Sequence, residues 1–189
     1  MTDSAPDGRT LEKRRRIVQA AWRVVRLHGL RGTTMEALAR EAGVAKGTLY
    51  AQFPDKDAVI GAVIDDMLIE LGTAFADGMA GEGSAAERVG AALAGKYGVV
   101  ARALEGSPHA DEVFDAHHRF AQRFEALERK TESDIVAALA AAGAAEPTLL
   151  ARVVVGAANG VARQMAGAEA VERAIRLVCR RLIEPEIRA

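Results

Sequence analysis

One short stretch concentrates side chains able to hydrogen-bond at a surface. Lys46, Gly47, Thr48, Tyr50 and Gln52 lie around a single apolar residue, Leu49. On a helix with Leu49 turned inward, the outward residues are a cation, several hydrogen-bonding groups and one residue with no side chain. That set suits a surface pressed into the major groove of a nucleic acid duplex, where base edges offer donors and acceptors. Gly47 costs a helix about 1 kcal/mol relative to alanine, a cost that close approach to a partner would explain. On these residues alone a second reading stands beside it, an ordinary helical hairpin with incidental polar residues.

The elements that must position this stretch are visible around it. Thr33 and Thr34 supply N-cap hydroxyls for a helix from Met35 to Ala42, with Leu38, Ala39 and Ala42 inward. Gly43 breaks that helix after about two turns, where a left-handed backbone angle is cheapest. A third helix follows Val44 and ends at Phe53-Pro54-Asp55. Ahead of both, Ile17, Ala20, Ala21, Val24, Val25 and His28 recur at helical spacing from about Leu11, and His28-Gly29 closes the segment. A two-turn helix, a glycine turn and a second short helix form the helix-turn-helix plan.

Beyond Lys56 the helices lengthen. Val59, Val63, Met67 and Leu71 make one wide apolar stripe, and a glycine-rich loop covers Asp77 to Ser84. Further helices are organised by Val89, Leu93, Tyr97, Val100 and Leu104, and by Phe114, His117, Ala121, Phe124, Leu127 and Ile135. Two more run from about Leu149 to Ala166 and from Ala168 to Leu182. With alanine abundant, 5 prolines and no period-two β-branched runs, the chain is expected to be all-α, with about nine helices. The expected organisation is a tail over residues 1–10, a helix-turn-helix domain over 11–56 and a larger helical body over 57–189.

Composition bounds the function. The 189 residues carry 25 Lys and Arg against 26 Asp and Glu, for a net charge of −1. Residues 1–60 hold 11 basic and 7 acidic residues, leaving 14 and 19 for the rest, so a basic head precedes an acidic body. Cys179 is the single cysteine, which excludes an intrachain disulfide framework and a cysteine-rich zinc module. The first residues lack the apolar core of a signal peptide, and the longest apolar runs, such as Val153 to Ala158, fall far short of a membrane span. A soluble cytoplasmic protein without membrane partners is expected.

The run Gly32-Thr33-Thr34-Met35, then Leu38 to Tyr50 (LAREAGVAKGTLY), with Phe53 and Lys56 after it, resembles the DNA-binding signature of TetR-type transcriptional regulators. The resemblance is dense from Arg14 to about Val63; the rest agrees only in length and helix pattern. It implies a homodimer, each subunit having a three-helix DNA-binding head and a helical ligand-binding body, which acts on a palindromic operator in double-stranded DNA. Carried onto this chain, it puts Lys46, Gly47 and Thr48 nearest the base edges and Tyr50 on the backbone or a thymine methyl. Thr33, Thr34 and Lys56 would lie at helix starts that hold phosphates. Ala51-Gln52 departs from the bulkier residues often found there, and Gln52 would compensate. Arg14, Arg15 and Arg16 read equally as phosphate contacts from an arm or as a solvated helix start.

In the body, the same resemblance makes the last two helices a dimer interface through Leu150, Val153, Val154, Ala157, Val161, Ile175, Val178 and Leu182, beside Gly156 and Gly160, which permit close approach. A wholly intrachain core is the competing reading. Met67, Tyr97, Phe114, His117, Phe120 and Phe124 are inward positions that would line a site for a small apolar or amphipathic effector, with His117 and Tyr97 as polar handles. The competing reading there is plain core. Asp111, Asp115 and His118 share a helix face at metal-ligand spacing but read as solvated charges, so no metal and no cofactor are expected. Gly90, Gly95 and Lys96 match a phosphate-loop spacing, yet Tyr97 stands where Ser or Thr is required and no strand precedes them. An enzyme would need a convergent nucleophile, base or cofactor loop, which four histidines and one cysteine do not supply. A helical protein-interaction module is the remaining alternative to a DNA-binding regulator.

Overall fold

A computed structural model describes residues 8–187, with the side chains of residues 114–118 outside the description. Among the described residues there are nine α-helices, one short 3-10 turn and no strand. The helices are α1 (Gly8–Gly32), α2 (Met35–Ala42), α3 (Lys46–Gln52), α4 (Lys56–Ala80), α5 (Ala85–Leu104), α6 (Ala110–Arg119), α7 (Ala121–Ala141), α8 (Pro147–Gln164) and α9 (Ala168–Ile183). The all-α expectation and its helix number hold. None of these helices is long and apolar enough to cross a membrane.

Their ends follow local chemistry. Thr34 caps α2, its hydroxyl oxygen accepting the Ala37 amide at 3.1 Å, and Gly43 ends it at φ 63°, in the left-handed region. Ser84 and Glu87 make a reciprocal capping box at the start of α5, with the Ser84 amide donating to Glu87 Oε2 at 2.8 Å. Pro147 opens α8, where a missing amide costs nothing. Within α1 the backbone breaks at Gly29 (φ 69°, ψ 176°), one residue after His28. The glycine there keeps a conformation that side chains disfavour.

The chain forms two compact units. One comprises the residues up to Asp66 together with Ser107–Ala116; the other comprises Met67–Gly106 and the residues from His117 onward. The first unit therefore reaches past the sequence boundary at residue 56. Val59, Ala62 and Val63 of α4 join Ile17, Val24, Leu38, Leu49 and Phe53 in one buried core, because α1, α2 and α3 leave an apolar face that the start of α4 covers. Ser107–Ala116 belongs to the same unit by polar links. The Ser107 hydroxyl donates to the Arg26 carbonyl at 2.9 Å, and the Arg31 amide donates to Glu112 Oε1 at 2.8 Å.

The second unit is built on α5, α7, α8 and α9. Val89 and Leu93, Ile135 and Leu139, Val154 and Ala158, and Val171, Ile175 and Cys179 are all fully buried in it. Small residues let these helices approach: a side chain at Gly78 of α4 would meet the Ala92 backbone of α5. Burial pushes the Cys179 thiol up to about 12, which makes it a buried hydrophobe with little thiolate at neutral pH.

Candidate nucleic-acid interface

The helix-turn-helix is held together by bonds across its turn and by arginines from α1. The Gly43 amide donates to the Arg40 carbonyl at 3.2 Å and the Val44 amide to the Ala39 carbonyl at 3.0 Å, which closes α2 and launches the chain into α3. Leu38 and Leu49 are fully buried between the helices and Ala39 is 4% exposed. Arg16 donates to the Ala42 carbonyl at 3.0 Å, at the last residue of α2. Arg14 donates to the Gln52 carbonyl at 3.2 Å, at the last residue of α3, and its guanidinium lies 4.2 Å from the Phe53 ring centroid. Both satisfy carbonyls that a helix end leaves unpaired, and both place positive charge at the negative end of a helix dipole. Two of the three consecutive arginines thus brace the motif. Arg15 between them is exposed.

The expected contact residues separate by where they point. Lys46, Gly47 and Tyr50 are exposed, while Thr48 and Gln52 are half-buried. Tyr50 shows 49% of its surface, and a Cβ added to Gly47 would meet nothing within 4 Å. No crowding inside the chain therefore calls for glycine at 47, and the helix bears its cost on an open face. Thr34 is exposed, and its cap uses the hydroxyl oxygen, which leaves the hydroxyl proton to donate outward.

Thr33 differs from its expected role. It is 1% exposed and its hydroxyl donates to the Gly29 carbonyl at 2.7 Å. Only one hydroxyl of the pair can cap α2; the other turns inward to the carbonyl freed at the α1 break, so Thr33 offers a phosphate no side-chain contact. Lys56 is half-buried and its ammonium donates to the Leu30 carbonyl at 3.1 Å, which uses one of its three donors.

Sequence reasoning passed over Glu36. Its Oε1 accepts from Lys46 Nζ at 2.9 Å, linking α2 to the start of α3. The hydrogen bond from Lys46 holds the Glu36 carboxyl below its usual range, and the same bond raises the Lys46 ammonium. Both groups are solvent-exposed, so this pair orients Lys46 more than it stabilises the fold. The signal was present: Glu36 follows the cap by two residues and would sit opposite the turn from Lys46.

In the second unit the expected sites are distributed unevenly. Met67, Tyr97, Phe120 and Phe124 are half-buried, and Tyr97 packs against the main core, where burial pushes its phenol up to about 12. Phe114 and His117, and with them Asp115 and His118, have side chains outside the described residues. Among the expected interface residues, Val154 and Ile175 are fully buried in this chain's own core and present nothing to a partner. Leu150, Ala157, Val161, Val178 and Leu182 are half-buried, and Val153 is 46% exposed. The open apolar face of α8 runs instead through Leu149 and Val153 to Gly156 and Gly160, where added Cβ atoms would meet nothing within 4 Å, with Leu177 exposed on α9. One residue step rotates a helix by about 100°, so neighbours such as Val153 and Val154 part to different faces.

Lys96, which the sequence offers only as part of a chance phosphate-loop spacing, proves to be buried in this unit. Only 9% exposed, it donates from Nζ to Thr131 Oγ1 at 3.4 Å, and Thr131 is itself 2% exposed. From Val89 to Ala101 it is the sole charged residue, a pattern readable in the sequence as a cation on an otherwise apolar helix.

Residues 17–63, the stretch holding the helix-turn-helix core, match the family described as bacterial regulatory proteins, tetR family. Solved structures share the fold over nearly the whole chain. A transcriptional regulator of the TetR/AcrR family from Thermobifida fusca is 23% identical, covering 94% of this chain and 100% of that one at a TM-score of 0.68. A TetR-like transcriptional regulator from Rhodococcus sp. RHA1 is 21% identical, covering 95% and 99% at 0.69. Salmonella enterica GusR is 22% identical, covering 97% and 98% at 0.62. Among curated proteins no relative matches. The turn geometry, the open face of α3 and the matched segment agree: residues 17–63 are similar to the tetR family of bacterial regulatory proteins, and the chain as a whole shares the fold of these solved structures.

Proposed function

We propose that this regulator is a cytoplasmic homodimeric repressor that binds a palindromic operator and leaves it when a small molecule enters its body, with no catalytic step of its own. The observation that carries the DNA-binding part is the face of α3. Lys46, Gly47 and Tyr50 are open to solvent on a helix braced at both neighbouring ends, and Gly47 has no internal reason to lack a side chain. Lys46 and Tyr50 would contact base edges and backbone with Thr48 and Gln52 beside them, and Thr34 and the spare donors of Lys56 would meet phosphates.

A dimer is supported by the apolar face of α8 through Leu149, Val153, Gly156 and Gly160, with Leu177 of α9. Exposed leucines beside bare glycines suit a second helix pair at close range. Two-fold symmetry then requires a palindromic site. Release rests on α4, one unbroken helix whose start packs in the DNA-binding core and whose later turns belong to the body. A ligand that prefers one arrangement of the body would shift the position of that start, and can do so only by its differential affinity for the two states.

The experiment is operator selection from random duplexes followed by titration at several salt concentrations. Binding that weakens linearly on a logarithmic salt scale is expected. Absence of affinity for any duplex at low salt would refute the reading.

A further inference from the structure

We propose that Lys96 is the counter-charge for an anionic effector, and that this effector is a monocarboxylate carried on an apolar body. The proposal rests on the effector-release reading above and names the ligand class for it. Lys96 sits on α5 and reaches the Thr131 hydroxyl on α7, with both residues buried. An ammonium has three donors; here one meets a hydroxyl at 3.4 Å, and the Tyr97 ring lies 5.8 Å away. Among the described residues no carboxylate forms an ion pair with it. Burial lowers its proton affinity, and the charge of Glu128, one turn before Thr131, opposes this.

A buried cation of this kind is a poor choice for stability. A methionine of similar length would fill the same space without losing hydration, and replacing buried ionic groups by apolar ones is often neutral or stabilising. An anion reaching Nζ supplies what is missing, a charge partner and acceptors for the remaining donors.

The surroundings narrow the anion. Tyr97, on the next residue, is a neutral hydroxyl at neutral pH, as an ordinary phenol is, and burial raises it further. With the Glu128 carboxylate already acting on both Lys96 and Tyr97 through space, one cation accommodates at most a single added negative charge and disfavours a phosphate dianion. Around them α5 contributes Ala92, Leu93 and Ala101 to the apolar core, so whatever carries the charge must be apolar beyond its head.

The test uses the full chain with decanoate, decanol and decyl phosphate, read by calorimetric titration and by the shift in melting temperature. Decanoate is expected to bind more tightly than either of the others. Lys96→Met should fold at least as well as the wild type, lose decanoate affinity by about tenfold or more, and bind decanol unchanged. Lys96→Gln, which keeps polarity but not charge, should behave like the methionine variant. Decanoate binding no tighter than decanol, including binding of neither, overturns the assignment, as does undiminished decanoate affinity in both variants. Tighter decyl phosphate binding overturns the monocarboxylate class. Because these titrations contain no DNA, they fail independently of the release mechanism. Decanoate bound through Lys96 that leaves operator affinity unchanged supports the site and refutes release.

Discussion

The two compact units handle charge in opposite ways. In the helix-turn-helix unit the cations are numerous, exposed or tied to helix-end carbonyls, and the core of Ile17, Leu38, Leu49 and Phe53 is free of them. In the body a single lysine lies inside the helix bundle against one hydroxyl. The difference separates what each unit does with positive charge. A surface that meets phosphates needs cations in water, where they cost little to hold and can exchange partners. A site that selects a small anion needs one cation out of water, where an unpaired charge is costly and pairing is correspondingly selective.

The comparison breaks most visibly on α8. Val154→Asp puts a carboxylate into the sealed core of the body and is expected to cost on the order of 4 kcal/mol or more, read by denaturant unfolding. Val153→Asp, one residue earlier on the open face, should alter the stability of the monomer little while converting dimer to monomer in sedimentation. If both variants unfold alike, the assignment of faces is wrong.

Next in size is the α3 surface. Replacing Lys46 and Tyr50 together by alanine should weaken operator binding by roughly 1–3 kcal/mol for each of the two side chains, and lower the salt dependence by about one ion. Melting temperature should barely move, since both side chains are exposed. Unchanged affinity in a gel-shift or anisotropy titration would mean that another surface reads the DNA.

The bracing arginines predict a smaller effect of the opposite character. Arg16→Ala removes the donor to the Ala42 carbonyl and should lower stability by about 1 kcal/mol, with a parallel loss of DNA affinity. An arm that only touched phosphate would lose affinity without stability. Gly47→Ala sharpens the same contrast. It should stabilise the free protein by up to about 1 kcal/mol, since the site is open, and yet weaken operator binding by crowding the duplex. A variant stabilised and equally tight on DNA would make Gly47 incidental.

The helix-turn-helix unit is largely legible from residue order because its signals are local. Thr34 caps the helix that starts one residue later, and Gly43 breaks it within the same turn. Thr33 reads wrongly from sequence because two adjacent hydroxyls are equivalent there, and only the broken backbone at Gly29 distinguishes the one that turns inward. The arginine run reads two ways for a similar reason, since the carbonyls that Arg14 and Arg16 meet lie 38 and 26 residues away. On α8 the apolar residues cover more than one stripe, so periodicity alone does not say which side meets the chain's own core.

What the sequence by itself determined was the all-α class, the helix-turn-helix and which α3 side chains face outward, because caps, turns and a 3.6-residue period act over a few residues. What only the tertiary structure decided was the direction in which long-range partners pull: Thr33 inward to Gly29, Glu36 across to Lys46, Val154 into the core while Val153 stays out, and Lys96 beneath the surface beside Thr131. Those outcomes depend on burial and on partners distant in sequence, which no local pattern encodes.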